Sequence, residues 1–146
     1  MAEATVTLVG GMQFVVETAS GHALTIDSGP EVGGNDTGSR PLELVTAGLA
    51  GCTAMDVISI LRKMQQKVTG LKVHANGQQA PDHPHKFTAI HIEYALIGYG
   101  LSEANVARAI QLSETRYCPA MASLRPGAPI TSSYTILEAA PETMTK

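Results

Sequence analysis

Between Leu44 and Leu61 the chain reads Leu-Val-Thr-Ala-Gly-Leu-Ala-Gly-Cys-Thr-Ala-Met-Asp-Val-Ile-Ser-Ile-Leu, with one charged residue, Asp56, and a cysteine, Cys52, near its middle. A helix built on this run is apolar on nearly all sides, so it is predicted to be a central helix rather than a surface one. Ala47, Gly48, Ala50, Gly51 and Ala54 make one stretch thin, where a neighbour is expected to pack closely. Ser39 is placed to cap the helix, Pro41 suits its first turn, and Glu43 puts negative charge where the helix dipole favours it. Its end is expected near Gln66.

The run is flanked by strand patterns. Ala4 to Val9, Met12 to Thr18 and His22 to Asp27 are short segments separated by Gly10-Gly11 and Ser20-Gly21, which predicts a three-stranded meander. The glycine-rich stretch from Ser28 to Arg40 then leads into the helix and reads as a mobile active-site or interface loop, because a compact domain seldom keeps so long a loop without a use. Val68 to Gln79 and Lys86 to Ile97 alternate in the strand manner on either side of Ala80-Pro-Asp-His-Pro-His, a second hairpin. Ser102 opens a second helix whose buried face carries Val106, Ala109, Ile110, Leu112 and Ser113, and which ends toward Tyr117-Cys118-Pro119. Ile130 to Glu138 is a last strand, and residues 141–146 read as a loose tail. The order βββ-α-ββ-α-β predicts an α+β fold in a single domain, residues 1–146.

Composition narrows the function classes. The chain has 146 residues, is 44% hydrophobic and 16% charged, and lacks Trp, so its core is aliphatic and alanine-rich and its polar surface is small. That favours a homodimer covering the excess apolar area. A net charge of −3 without any basic stripe argues against nucleic acid. No basic n-region opens the chain, and no segment reaches roughly 18 uncharged apolar residues, so neither a signal peptide nor a membrane span is expected and the chain reads as cytoplasmic. His74, His83, His85 and His91 with Asp82 do not match a strong zinc spacing, and residues 29–38 fit neither the dinucleotide nor the phosphate-loop pattern; no metal or cofactor is expected.

The two cysteines carry the chemistry. In a reducing compartment a lone pair of cysteines is more often reactive, or merely buried, than a structural staple. Cys52 lies in the apolar helix, and Cys118 lies beside Arg116 and Pro119 at a helix end. A peroxide-reducing centre needs one thiolate to attack the O–O bond and a second thiol to capture the sulfenic acid before further oxidation.

Arg40-Pro-Leu-Glu-Leu-Val-Thr-Ala-Gly-Leu-Ala-Gly-Cys52, followed by Thr-Ala-Met-Asp-Val-Ile, and Leu112-Ser-Glu-Thr-Arg-Tyr-Cys118 resemble the family of osmotically inducible protein C and organic hydroperoxide resistance proteins, in its OsmC-like branch. The resemblance implies an intertwined homodimer in which antiparallel sheets pack around two central helices. It implies a thiol peroxidase acting on organic hydroperoxides, with Cys52 peroxidatic, Cys118 resolving through an intramolecular disulfide, and a dithiol such as a lipoyl group as reductant. It also implies that an arginine and a glutamate assist the reactive sulfur, which by motif would be Arg40 and Glu43.

The residues qualify that assignment. Cys52 lies about three turns past the helix start, beyond the reach of the dipole, so a nearby cation must favour its thiolate. Arg40 is the only Lys or Arg upstream of it. Glu43, however, falls about 180° around a straight helix from Cys52, whereas Asp56, Ser59 and Lys63 share its face. An anionic Asp56 disfavours the thiolate and is expected to pair with Lys63, Arg40 or backbone donors. Whether Glu43, Asp56 or neither assists Cys52 stays open. Val45, Leu49, Met55 and Met121 offer an apolar lining for an alkyl chain. The rival reading is a non-catalytic protein of the same fold that holds a small apolar ligand at a dimer interface.

Overall fold

The computed structural model describes residues 2–141. The tail expected from residue 141 onward therefore falls, past Pro141, outside the described residues. The fold is α+β, with two three-stranded sheets and three α-helices among the described residues. Its contacts divide the chain into two compact units, Met1–Val45 and Thr46–Lys146.

The first unit holds β1 (Ala4–Gly10), β2 (Gln13–Thr18) and β3 (Ala23–Ile26) in an antiparallel meander of order β1-β2-β3. Gly11 and Gly21 take the positive φ angles, +56° and +82°, that their turns require. The glycine-rich stretch is pinned rather than loose, because Asp27 collects it. Asp27 is 2% exposed and accepts the backbone N–H groups of Ser28, Asn35 and Thr37 and the Thr37 hydroxyl, at 2.6–3.1 Å. These donors, the Thr37 hydroxyl foremost, hold its carboxyl down at about 2 against burial, which acts the other way. A Cβ at Gly34 would collide with the Ser28 carbonyl, so the chain can fold back here only with glycine.

α1 (Pro41–Lys63) begins in the first unit and runs mostly in the second. Its cap position belongs to Arg40 and not to Ser39: the Arg40 carbonyl accepts from Leu44 N–H, and its own N–H donates to Glu43 Oε2 at 2.9 Å, half of a capping box. Ser39 instead bridges Ile26 at the edge of β3.

In the second unit β5 (Phe87–Tyr99) is central, antiparallel to β4 (Lys67–Gln79) and parallel to β6 (Ile130–Glu138). The parallel pairing departs from the antiparallel sheets expected. It arises because β6 follows a crossover through α2 (Glu103–Leu112) and α3 (Pro119–Leu124), long enough to bring the chain back in the same direction. Alternate β5 residues Ile90, Ile92, Tyr94 and Leu96 are buried in one core with Val106, Ala109 and Ile110 of α2 and with Leu49, Val57 and Leu61 of α1. Truncating one such side chain, for instance Leu61→Ala, costs about 2–5 kcal/mol.

Only one stripe of α1 is inside this core: Leu49, Thr53, Val57 and Leu61, at steps of four. Met55 is 73% exposed, and a Cβ added at Gly48 or Gly51 would meet nothing within 4 Å among the described residues. The close neighbour expected at the thin stretch is therefore not provided by the second unit. With a mean hydropathy of 1.8, α1 is also long and apolar enough, by length and composition, to cross a membrane, which departs from the expectation that no segment is.

Candidate functional site

The site is built within the second unit, where α1, β5 and the segment after α2 meet. α2 does not end cleanly. Ser113–Tyr117 forms a wider π-type turn, closed by a bond from Cys118 N–H to the Ser113 carbonyl at 2.9 Å. Such turns often mark functional positions. Pro119 then starts α3 instead of only ending α2, and Cys118 is its cap: the sulfur accepts from Met121 N–H at 3.4 Å. Proline at a first helical position was the available signal for this short helix.

These turns bring Cys118 to Cys52. Both thiols are free, Cys52 half-buried and Cys118 only 3% exposed. Their sulfurs and a carboxylate oxygen of Asp56 all lie within 4.8 Å of one another. Burial, reinforced by the neighbouring Cys52, pushes the Cys118 thiol up to about 11, against the Met121 N–H bond that lowers it. Among the described residues the group holds two sulfurs and one carboxylate, one short of the four protein ligands of a closed zinc site.

Among the described residues of the second unit, Asp56 has neither the Lys63 partner nor the backbone donor expected from its helix face. Ser113 Oγ donates to its Oδ2 at 3.0 Å. Behind Ser113 lies a hydroxyl chain that sequence reading missed: Ser113 Oγ to Thr53 Oγ1 at 2.9 Å, and Thr53 Oγ1 to Tyr94 Oη at 2.7 Å. Thr53 and Ser113 are fully buried, and Tyr94 is 1% exposed. Each hydroxyl has one proton, so the direction is forced. Ser113 spends its proton on Asp56 and must accept from Thr53, which in turn must accept from Tyr94. Burial holds the Tyr94 phenol up at about 12, so it remains a donor. The signal was present in sequence as a threonine and a serine on predicted core faces.

A cleft of about 410 Å³ opens beside Asp56, lined also by Ser59, Ile60, Lys63, Met64, Leu112 and Tyr117. A second, of about 250 Å³, reaches Cys118 past Glu114, Arg116 and Arg125. The apolar lining expected from Leu49 and Met121 is not available, because both are fully buried core residues. Val45 and Met55 are exposed, at 37% and 73%.

Arg40 and Glu43 belong to the first unit, and there each has local work. The Arg40 guanidinium pairs with Asp36 at 2.6 Å and donates to the Gly38 carbonyl at 2.9 Å, and Glu43 accepts the Arg40 N–H. His91 contacts the Thr131 and Ser133 hydroxyls, and His83 lies near His85.

The fold is mixed α+β, and its long helix α1 carries one half-buried thiol beside a second, buried one. The chain belongs to the OsmC-like protein family, whose model matches residues 33–133. It is 35% identical to Protein YhfA of Escherichia coli strain K12 over 137 residues, 94% of this chain and 99% of that relative. Among solved structures it is similar to a hypothetical protein from Aquifex aeolicus VF5, at 24% identity and TM-score 0.83 over 96% of this chain and 98% of that one. It is also similar to an organic hydroperoxide resistance protein OsmC from Legionella pneumophila, at 21% identity and TM-score 0.64 over 92% and 96%. At those identities the structural likeness speaks for the fold.

Proposed function

We propose that the chain is a cysteine-based thiol peroxidase that reduces organic hydroperoxides. The observation that carries this reading is the approach of the Cys52 and Cys118 sulfurs to within 4.8 Å, close enough for local movement to reach the roughly 2.05 Å of a disulfide. In the first step the Cys52 thiolate attacks the terminal peroxide oxygen; the O–O bond breaks, the alcohol leaves with a proton, and Cys52 becomes a sulfenic acid. Cys118 then attacks the oxidised sulfur, a disulfide forms and water leaves. A dithiol such as a lipoyl group returns both thiols. Cys52 is half-buried and Cys118 buried, an exposure order that suits a first thiol meeting substrate and a second held in reserve. The hydroperoxide resistance named for the Legionella relative supports the same substrate class.

The active form is a homodimer of single-domain chains. The uncovered face of α1, with Met55, Gly48 and Gly51, and the half-exposed Val6, Leu8 and Val9 of β1 offer apolar surface for a second copy. Arg40 and Glu43 assist the reactive sulfur in that form.

Mass spectrometry after one equivalent of cumene hydroperoxide tests the mechanism. Wild type should lose two hydrogens, Cys118→Ser should gain one oxygen, and Cys52→Ser should consume no peroxide. If wild type over-oxidises Cys52 as fast as Cys118→Ser does, the two-cysteine mechanism is wrong. Light scattering at low micromolar concentration tests the dimer, which a folded 15.3 kDa monomer would refute.

A further inference from the structure

Cys118 presents a chemical problem that the two-thiol reading leaves unsolved. It must attack as a thiolate, yet it is 3% exposed, and burial holds it protonated with its thiol pushed up to about 11. At neutral pH few such thiols ionise by themselves, so the attack needs a group that takes the proton as the S–S bond forms. That group must lie near both sulfurs. Among the described residues one carboxylate does so.

We propose that Asp56 is the proton-transfer residue of the resolving step, taking the Cys118 proton and delivering it to the group leaving Cys52, with the buried chain Tyr94–Thr53–Ser113 holding its carboxylate in place. The proposal rests on Cys118 attacking Cys52. Its carboxylate oxygen lies within 4.8 Å of both sulfurs, a span that one bridging water covers. The forced direction of the hydroxyl chain matters here. Every donor from Tyr94 onward points toward Asp56, so the network is arranged for an acceptor at its end, and successive donors reinforce one another in a buried setting. Ser113 takes up Oδ2 and leaves the carboxylate capacity to accept again.

The bonds balance. The Cys118 lone pair forms the S–S bond, the S–O bond of the Cys52 sulfenic acid breaks with its pair going to oxygen, and the Cys118 proton passes through Asp56 to that oxygen, releasing water. The Cys52 sulfur is reduced as Cys118 is oxidised. An anion beside Cys52 is a poor activator of the first step, so its placement fits the second step better.

The test uses 5,5′-dithiobis(2-nitrobenzoate), which separates this step from peroxide chemistry. Cys52 reacts first and releases one thionitrobenzoate; Cys118 then attacks the mixed disulfide and releases the second, a leaving group that needs no proton. Cys118→Ser should stop after the first. In Asp56→Asn, which preserves shape and can still accept from Ser113, the second release should slow by about 100-fold. Its pH profile is the readout that a merely structural role would not move. The titratable groups around Asp56 are Cys52, Cys118 and the cleft residues Lys63 and Tyr117, with Tyr94 at the far end of the hydroxyl chain and Glu114 acting on Tyr94. The wild-type second release should be level between about pH 6 and 8, and the Asp56→Asn rate should rise about tenfold per unit as free ionisation of Cys118 takes over. Asp56→Glu should restore the level profile. A second release at wild-type speed in Asp56→Asn, or one slowed with a level profile, overturns the proposal. If Asp56→Asn does not fold, a tenfold rise per unit already present in wild type overturns it. A wild type that releases both equivalents in this way but consumes no hydroperoxide would refute the peroxidase reading and leave the role of Asp56 standing.

Discussion

Asp27 is buried and Asp56 half-buried beside an open cleft, and their surroundings differ in a way that separates a carboxylate that builds from one placed beside thiols. Asp27 receives four hydrogen bonds from within eleven residues of chain, three of them from backbone N–H groups. Its accepting capacity is filled by the loop it organises. Among the described residues Asp56 receives one, from Ser113, 57 positions away, at the end of a chain of buried hydroxyls, and its carboxylate lies close to two sulfurs. A saturated carboxylate fixes backbone; an unsaturated one beside nucleophiles can exchange a proton.

The contrast can be broken at the hydroxyl chain first. Thr53→Val keeps shape but removes both the acceptor of the Tyr94 proton and the donor to Ser113, leaving two buried hydroxyls short of a partner. It should destabilise the fold by about 1–3 kcal/mol in urea unfolding and slow disulfide formation. An unchanged midpoint would mean that the chain does not hold the site.

At Asp27 the effect should appear as acid sensitivity. Its folded value, about 2, lies below the ordinary 3.8, so its contribution is complete above 3.8 and is lost as pH falls from there toward 2. Asp27→Asn should be less stable at neutral pH and should lack that part of the acid decline, with the mixed-disulfide kinetics of the two thiols unaltered. Thermal melts from pH 6 down to 2 would show it; parallel acid curves for variant and wild type would remove the structural role assigned to this carboxylate.

The smallest effect on stability is expected at Arg40, whose ion pair with Asp36 is exposed. Arg40→Ala should leave the unfolding midpoint nearly unchanged while slowing iodoacetamide alkylation of Cys52 at pH 7. If alkylation is unaffected, Arg116 or Arg125 becomes the cation to test.

Much of this molecule was legible in the chain because its signals are local. Period-two alternation marked β5, Gly10-Gly11 and Ser20-Gly21 marked the meander turns, and Ser102 capped α2 as expected, accepting from Asn105 N–H at 3.3 Å. Cys52 and Cys118 were recognisable as a pair because unusual residue types stand out against an aliphatic background. Helical periodicity also put Asp56 on the Cys52 face, but periodicity describes one helix and says nothing about what packs against it. The parallel entry of β6, the widened turn at Ser113 and the new helix started by Pro119 all depend on how a crossover closes onto a sheet. Those closures turned Asp56 from a supposed partner of Lys63 into the acceptor of a buried hydroxyl chain joining three elements far apart in sequence. Sequence alone determined the six strands, α1 and α2, and where the thiols and carboxylates stand along them; only tertiary structure decided which of these groups meet, because a contact between positions 56 and 113 exists nowhere in the chain until the core has closed around it.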